Sequence, residues 1–283
     1  DAPADALKHA VGGLQRSARD SLLLFAPHAN SYRRFVLNAF VPLNDAWGYN
    51  NRTVAMRIPH SQGAFRERIV VGDFQCEPVG DTVSLGEAAC CEPLSVALHA
   101  VQQAGSLTGK RVLVTGSGPI GALVVAAARY AGALEVVATD LHDAALKKAT
   151  EMGATRTVNV SQAPGLAAEE FTAEKGYFDV AIECTGAGVV IKDVLPVLRP
   201  RGSLVQVGVT GEVAIPINAI VGKEIRIIGA FRFHQEYALA ARLIKEGRIN
   251  VKPIITATLP FERAVEAFEM AADRRSQMKV QLT

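Results

Sequence analysis

The chain has 283 residues, 49% of them hydrophobic and 20% charged, enough for one large or two ordinary domains with packed cores. Its 30 basic against 28 acidic side chains leave a net charge of +2, which gives no electrostatic reason to expect nucleic acid or an anionic membrane as partner. No apolar run is long enough to span a bilayer, no signal-peptide pattern is present, and the four cysteines (Cys76, Cys90, Cys91, Cys184) include no C-x-x-C pair, so a zinc ribbon and a disulfide scaffold are disfavoured and reduced thiols in a cytoplasmic protein are expected. Residue 1 is Asp, which reads as a fragment or a processed product.

Taken in order, residues 5 to about 25 carry Leu7, Val11 and Leu14 at helical spacing, weakened by Gly12 and Gly13. Val54, Met56 and Ile58 alternate with Thr53, Ala55 and Arg57, the pattern of a half-buried strand. Residues 85 to 104 read as one long helix. Arg111 to Thr115 is a short β-branched run, the look of a buried parallel strand. Gly116, Gly118 and Gly121 then supply G-x-G-x-x-G, an alanine-rich helix runs to about Ala131, and Gly132 closes it. Val136 to Thr139 is a second apolar run ending in Asp140, and 140 − 121 = 19 residues separate the last glycine from that acid. About 20 is the spacing of a dinucleotide fingerprint.

The chemistry asks for those residue types. Gly116 permits the sharp turn out of the strand, Gly118 lets a diphosphate approach the backbone, and Gly121 allows helix and strand to pack closely. Pro119 suits the first turn, where a missing N–H costs nothing, and with Ile120 it opens the helix whose free N–H groups and dipole face the phosphates. Asp140 accepts hydrogen bonds from ribose hydroxyls and repels a 2′-phosphate, so NAD is expected ahead of NADP.

Strand and helix keep alternating: a helix from Asp143 to Met152, strands at Thr157–Val160 and Phe178–Cys184, a helix from Gly188 to Leu198, and strands at Ser203–Val207 and Glu224–Ala230. Six strands with crossover helices predict an α/β fold, a doubly wound parallel sheet of order 3-2-1-4-5-6. Ligands bind beyond the carboxyl ends of such strands, which adds Thr185, Gly186, Val207, Gly208 and Val209 to the candidate cofactor site. Amphipathic helices at Gln235–Lys245 and Phe261–Ala272 and a strand at Met278–Leu282 close the chain.

Two resemblances cover the sequence. NSYRRF followed by WGYNNRTVAMRIP resembles the catalytic domain of glutamine synthetases, over about residues 1–59. The resemblance implies a substrate carboxylate on Arg34 and phosphates beside Arg52 and Arg57, while that family's metal-binding glutamates and nucleotide-binding strands have no counterpart here. From about residue 60 to 283, HSQGAFRERIVV, CEPLSVALHA and the glycine fingerprint resemble the zinc-dependent medium-chain dehydrogenases, in their sorbitol/L-idonate branch. That implies a Rossmann domain at 96–230, a truncated GroES-like catalytic domain at 60–95 and 231–283, and an unrelated N-terminal α+β fragment at 1–59.

The second resemblance also implies an activity: oxidation of a secondary alcohol of a sugar acid or polyol, with hydride passing to NAD and zinc holding the alcohol oxygen. Glu92 falls where that branch has a glutamate in the zinc shell, and Arg232 where an arginine faces the substrate. The family's cysteine ligand and its Gly-His-Glu motif find no match, so zinc is doubtful and Glu92 alone is insufficient to hold it. His9, His28 and His60 have no spacing that replaces them, and His99 reads as a packed helix histidine without a partner motif. Three readings stand side by side: such a dehydrogenase, a non-catalytic NAD-binding remnant, and an ATP-dependent ligase. The family further implies a homo-oligomer formed through the nucleotide domain, with the edge strand at Glu224–Ala230 free to pair.

Overall fold

The computed structural model describes residues 76–283 apart from Arg274, together with five short strands before them: β1 (Leu22–Leu24), β2 (Phe35–Leu37), β3 (Phe40–Asn44), β4 (Asn50–Thr53) and β5 (Val70–Gly72). The chain divides into two compact units, Asp1–Pro78 and Val79–Thr283. In the first, β1 pairs antiparallel with β5, β3 with β4, and β2 with β6 (Cys76–Pro78). Leu22–Leu24 is therefore strand rather than the end of a helix: three consecutive leucines carry no helical stripe, and they sit opposite Gly72, Val71 and Val70. The rest of the expected helix, the Val54–Ile58 alternation, Arg34, Arg57, His9, His28 and His60 lie outside the described residues.

The second unit is built on the six-stranded parallel sheet that the alternation predicts. Its strands are β7 (Arg111–Thr115), β8 (Glu135–Asp140), β9 (Arg156–Asn159), β10 (Phe178–Glu183), β11 (Leu198–Gln206) and β12 (Arg226–Gly229), in the spatial order β12-β11-β10-β7-β8-β9. The chain starts in the middle, winds one way through β8 and β9, and returns across β7 to wind the other way. The point of reversal between β7 and β10 is where such sheets leave a crevice.

Helices cover both faces. Leu113, Val137, Ala181 and Leu204 stand side by side in register, and their face packs on Phe171, Ile191, Val194 and Leu195 in one continuous core. On the unit's N-terminal side, residues 85 to 104 form two helices rather than one: α1 (Leu85–Ala88) and α2 (Cys91–Ala104). Pro93 explains the break. In an unbroken helix its ring would strike the carbonyl four residues back, that of Ala89, and the chain turns out of helix between Ala89 and Cys90. Ser84 caps α1, accepting from the Glu87 N–H while the Glu87 carboxylate accepts from the Ser84 N–H.

The remaining helices are α3 (Pro119–Tyr130), α4 (Asp143–Glu151), α5 (Glu169–Thr172), α6 (Gly188–Val197), α7 (Ile217–Lys223), α8 (Glu236–Lys245) and α9 (Ala264–Ala272). The helix α7, seven residues long with none of them fully buried, is not among the elements expected from the sequence, nor is β13 (Ile255–Leu259), which pairs in parallel with β14 (Lys279–Leu282). Strand β11 begins five residues earlier than its apolar run, because Leu198 pairs with Phe178 before a register shift, and Arg201 takes a left-handed turn at φ +64° within it.

Candidate functional site

The loop between β7 and α3 shows why glycine stands at each of its three positions. Gly116 turns at φ +80°, in the left-handed region that side chains avoid. A Cβ on Gly121 would lie 1.7 Å from the Gly116 carbonyl oxygen, so the helix can sit this close to the strand only with glycine there. Gly118 is different: nothing lies within 4 Å of where its Cβ would be. That open side at the helix N-cap is the approach a diphosphate needs. Pro119 occupies the first turn of α3, Ile120 follows it half-buried, and the helix interior from Gly121 to Ala128 is buried throughout.

Asp140 ends β8 beside this loop. Its Oδ2 accepts from the Ser117 N–H at 2.8 Å and its Oδ1 from the His142 N–H at 3.0 Å. Ser117 is fully buried and its hydroxyl donates to the Thr139 carbonyl, while the Gly116 N–H donates to the same carbonyl at 2.9 Å. The end of β8 and the glycine turn are thus tied together by three bonds. Each carboxylate oxygen of Asp140 keeps acceptor capacity beyond the one backbone N–H it receives.

The second half of the candidate cofactor set meets the first. A Cβ on Gly116 would lie 2.7 Å from the Thr185 methyl, a Cβ on Gly186 2.7 Å from the Val209 carbonyl oxygen, and a Cβ on Gly208 2.2 Å from the Gly186 nitrogen. Gly186 itself turns at φ +69°. Gly116, Thr185, Gly186, Gly208 and Val209 are therefore neighbours at the carboxyl ends of β7, β10 and β11, and Val207 joins them through its N–H, which donates to the Glu183 carbonyl. Val209 is 85% exposed, a large apolar side chain left open beside the crevice.

Glu183 is the residue of this region that sequence reasoning missed. It lies at the end of β10, wholly buried. Its Oε1 accepts from the Thr185 N–H at 2.6 Å, from the Thr185 hydroxyl, and from the Gly186 N–H at 3.2 Å. Its Oε2 accepts from the Gly186 N–H at 3.2 Å and from Gln206 Nε2 at 2.5 Å. Gln206 Nε2 donates onward to the Gly208 carbonyl at 2.7 Å. In register, Thr139, Thr115, Glu183 and Gln206 form a polar row across the sheet, two residues beyond the apolar row of Val137, Leu113, Ala181 and Leu204. The signal in the sequence was an acid ending the otherwise apolar run FDVAIE.

The predicted metal and substrate residues lie in the same unit. Glu92 stands in the first turn of α2, and burial pushes its carboxyl above the usual range, partly offset by the positive charges of Lys279 and Arg232. Arg232 has a left-handed backbone at φ +55° and its guanidinium lies 4.8 Å from the centre of the Phe231 ring. Among the described residues no group of three His, Cys, Asp or Glu side chains could hold a metal ion. A catalytic zinc takes about three protein ligands, so Glu92 without a grouped His, Cys or second carboxylate among the described residues does not fit one. Cys90 and Cys91 are fully buried, and burial pushes the Cys90 thiol up to about 11.

His99 does have a partner, 137 residues away in sequence. Its Nδ1 lies 3.0 Å from Glu236 Oε1, its Nε2 lies 3.3 Å from Gln103 Nε2, and its ring lies 4.9 Å from that of His234. Glu236 Oε2 accepts from the His234 N–H at 2.6 Å. Burial alone would raise the Glu236 carboxyl; the His99 ring and the backbone N–H groups outweigh it and hold it below the usual range. The pair joins α2 to the start of α8, just after the segment that carries Arg232.

A doubly wound sheet with a glycine loop at its switch point and an acid at the next strand's tip defines the dinucleotide-binding class of α/β domain. Comparison with known proteins is consistent with it. The family model described as zinc-binding dehydrogenase matches residues 119–246, and that of the glutamine synthetase catalytic domain matches residues 1–71. The chain is 41% identical over 229 residues to the L-idonate 5-dehydrogenase (NAD(P)(+)) of Escherichia coli K12, spanning 81% of this chain and 66% of that protein, and 38% identical over 197 residues to human sorbitol dehydrogenase, spanning 69% and 55%. The crystal structure of the L-idonate 5-dehydrogenase from Escherichia coli superimposes with a TM-score of 0.83 at 36% identity, covering 90% of this chain and 78% of that one.

The chain belongs to the zinc-binding dehydrogenase family, close to its polyol and sugar-acid members. It spans between about half and two thirds of the length of those two curated relatives. The glutamine synthetase match runs to residue 71 and so includes the HSQGAFRERIVV run.

Proposed function

We propose that this chain binds NAD across the carboxyl ends of β7, β8, β10 and β11, and that the reaction of its relatives, hydride transfer from a secondary alcohol of a sugar acid or polyol, runs in it only slowly because the described donors do not fit zinc. The observation that carries the binding is the joint between Gly116, Gly118, Gly121 and Asp140: a turn only glycine can make, an open face at the helix N-cap, and a carboxylate held at the tip of the next strand. Gly116, Gly118, Pro119, Ile120 and Gly121 hold the diphosphate, and Asp140 accepts from the ribose hydroxyls and disfavours a 2′-phosphate. Thr185, Gly186, Val207, Gly208 and Val209 line the nicotinamide half. NAD supplies the hydride acceptor; these side chains orient it.

The substrate class rests on the likeness to L-idonate and sorbitol dehydrogenases. Arg232, as a guanidinium fork, suits the carboxylate of a sugar acid. A second reading, an NAD-binding domain without turnover of its own, is favoured by the donor set around Glu92, which does not fit zinc among the described residues. Mixing the protein with NAD, added zinc and either L-idonate or sorbitol, and following NADH absorbance, separates the two. We predict NADH binding with little turnover. Robust turnover would establish the full enzyme and overturn the account of the donor set, and loss of NADH binding would remove both readings.

A further inference from the structure

Beneath the turns that carry Thr185, Gly186 and Gly208 lies a buried carboxylate that the cofactor reading does not use, that of Glu183. Glu183 is wholly buried, and all its hydrogen-bond partners are donors: the Thr185 N–H and hydroxyl, the Gly186 N–H, and Gln206 Nε2. Through Gln206 the same carboxylate reaches the Gly208 carbonyl. One buried acceptor thus holds two turns that leave from neighbouring strands, Thr185–Gly186 after β10 and Val207–Val209 after β11. The turns are also in steric contact, since a Cβ on Gly208 would come within 2.2 Å of the Gly186 nitrogen and 2.6 Å of Glu183 Oε2.

We infer that Glu183 is a positioning residue for the nicotinamide half of the cofactor, acting by locking the turns after β10 and β11 into one wall. The inference rests on the NAD reading above and adds to it a division of labour. A doubly wound sheet is two mononucleotide-binding halves. Asp140 and the glycine loop serve the half built on β7, β8 and β9, and Glu183 sits in the half built on β10, β11 and β12.

The bonds predict what an isosteric change does. Glutamine at 183 can keep its carbonyl oxygen where Oε1 accepts from Thr185 and Gly186, but its amide then points NH2 at Gln206 Nε2, donor against donor. Turning the Gln206 amide over removes that clash and places its oxygen against the Gly208 carbonyl, acceptor against acceptor. No amide arrangement serves both ends: the first turn keeps its bonds to Oε1 and loses only the 3.2 Å bond from the Gly186 N–H to Oε2, while the second turn is released.

The test compares ligands that report on each half. Dissociation constants for NADH and for AMP are measured by titration calorimetry on the wild-type chain and on Glu183→Gln. We predict that the variant weakens NADH by about tenfold, the effect of one buried group left unsatisfied, while AMP changes by less than about twofold. Equal losses for the two ligands would show a merely structural role and overturn the inference, as would NADH binding at wild-type strength. Gln206→Leu provides an independent arm should Glu183→Gln fail to fold: it cuts the link to Gly208 and spares the bonds to Thr185 and Gly186, and the same selective loss is predicted, with an unchanged NADH-to-AMP ratio counting against it. If the wild-type chain binds no NADH, the underlying cofactor reading falls and takes this inference with it.

Discussion

On the NAD reading proposed above, Asp140 sets the cofactor preference twice over, as an acceptor for ribose hydroxyls and as a charge that disfavours a 2′-phosphate. Its carboxylate is held at the tip of β8 by the N–H groups of Ser117 and His142. NADH is predicted to bind more tightly than NADPH, and Asp140→Ser to narrow the gap by about tenfold or more when both are titrated under the same salt conditions. Glu236 provides a second test at this scale, through pH. Its folded-state carboxyl is held below its ordinary value, so the stabilisation is fully present above about pH 4.3 and is lost as pH falls through the depressed folded value. Glu236→Gln is predicted to lower stability by about 1–3 kcal/mol at neutral pH and to flatten the acid limb of the stability curve, read by urea melts at several pH values. Both residues show how uneven legibility is. Asp140 could be read because its meaning depends on a spacing of 19 residues along the chain. The His99–Glu236 pair could not, since only the fold brings α2 and α8 together. Glu183 fails for another reason: an acid that ends an apolar strand looks the same in sequence whether it enters water or is buried beneath two turns.

Elements in this chain are set by local rules that mostly agree with one another. The joint between β7 and α3 is the tightest example, because the Gly121 position lets helix and strand approach to within a backbone's width. Gly121→Ala is predicted to cost about 2 kcal/mol or more in chemical denaturation, since backbone rather than a flexible side chain must give way. At the other end of the sheet, Lys223 in the last turn of α7 donates from Nζ to the carbonyls of Leu195, Pro196 and Leu198, closing the C-terminus of α6. Burial lowers the Lys223 amine below its ordinary value, and the three carbonyls are the compensation for that desolvation. Lys223→Met is predicted to destabilise by about 1–2 kcal/mol in the same measurement, without changing NADH affinity. The sequence order of strands and helices was legible because short continuous apolar runs, the mark of strands buried on both faces, alternate with longer helical stretches. What escaped were the details that depend on neighbours: the break at Ala89–Cys90, where Pro93 decides, and the early start of β11, where Phe178 of β10 decides.

At the scale of the molecule, two sequence resemblances correspond to two family matches, one ending at residue 71 and one beginning at 119, with a compact-unit boundary after Pro78. We predict that ligase chemistry is not part of the chain's repertoire: ATP, magnesium, glutamate and an amine should give no γ-glutamyl product, and detectable product would require the N-terminal arginines to be functional. A ligand that binds only the folded form stabilises it, by about 2.7 kcal/mol at 100 times its dissociation constant. Saturating NADH is therefore predicted to raise the melting temperature by roughly 5–10 °C. An NADH fluorescence titration of the whole chain tests cofactor binding most directly, and saturable binding at one site per chain, weakened by Asp140→Ala, is the predicted result. A signal that rises without saturating, or that the Asp140 substitution leaves unchanged, would contradict it.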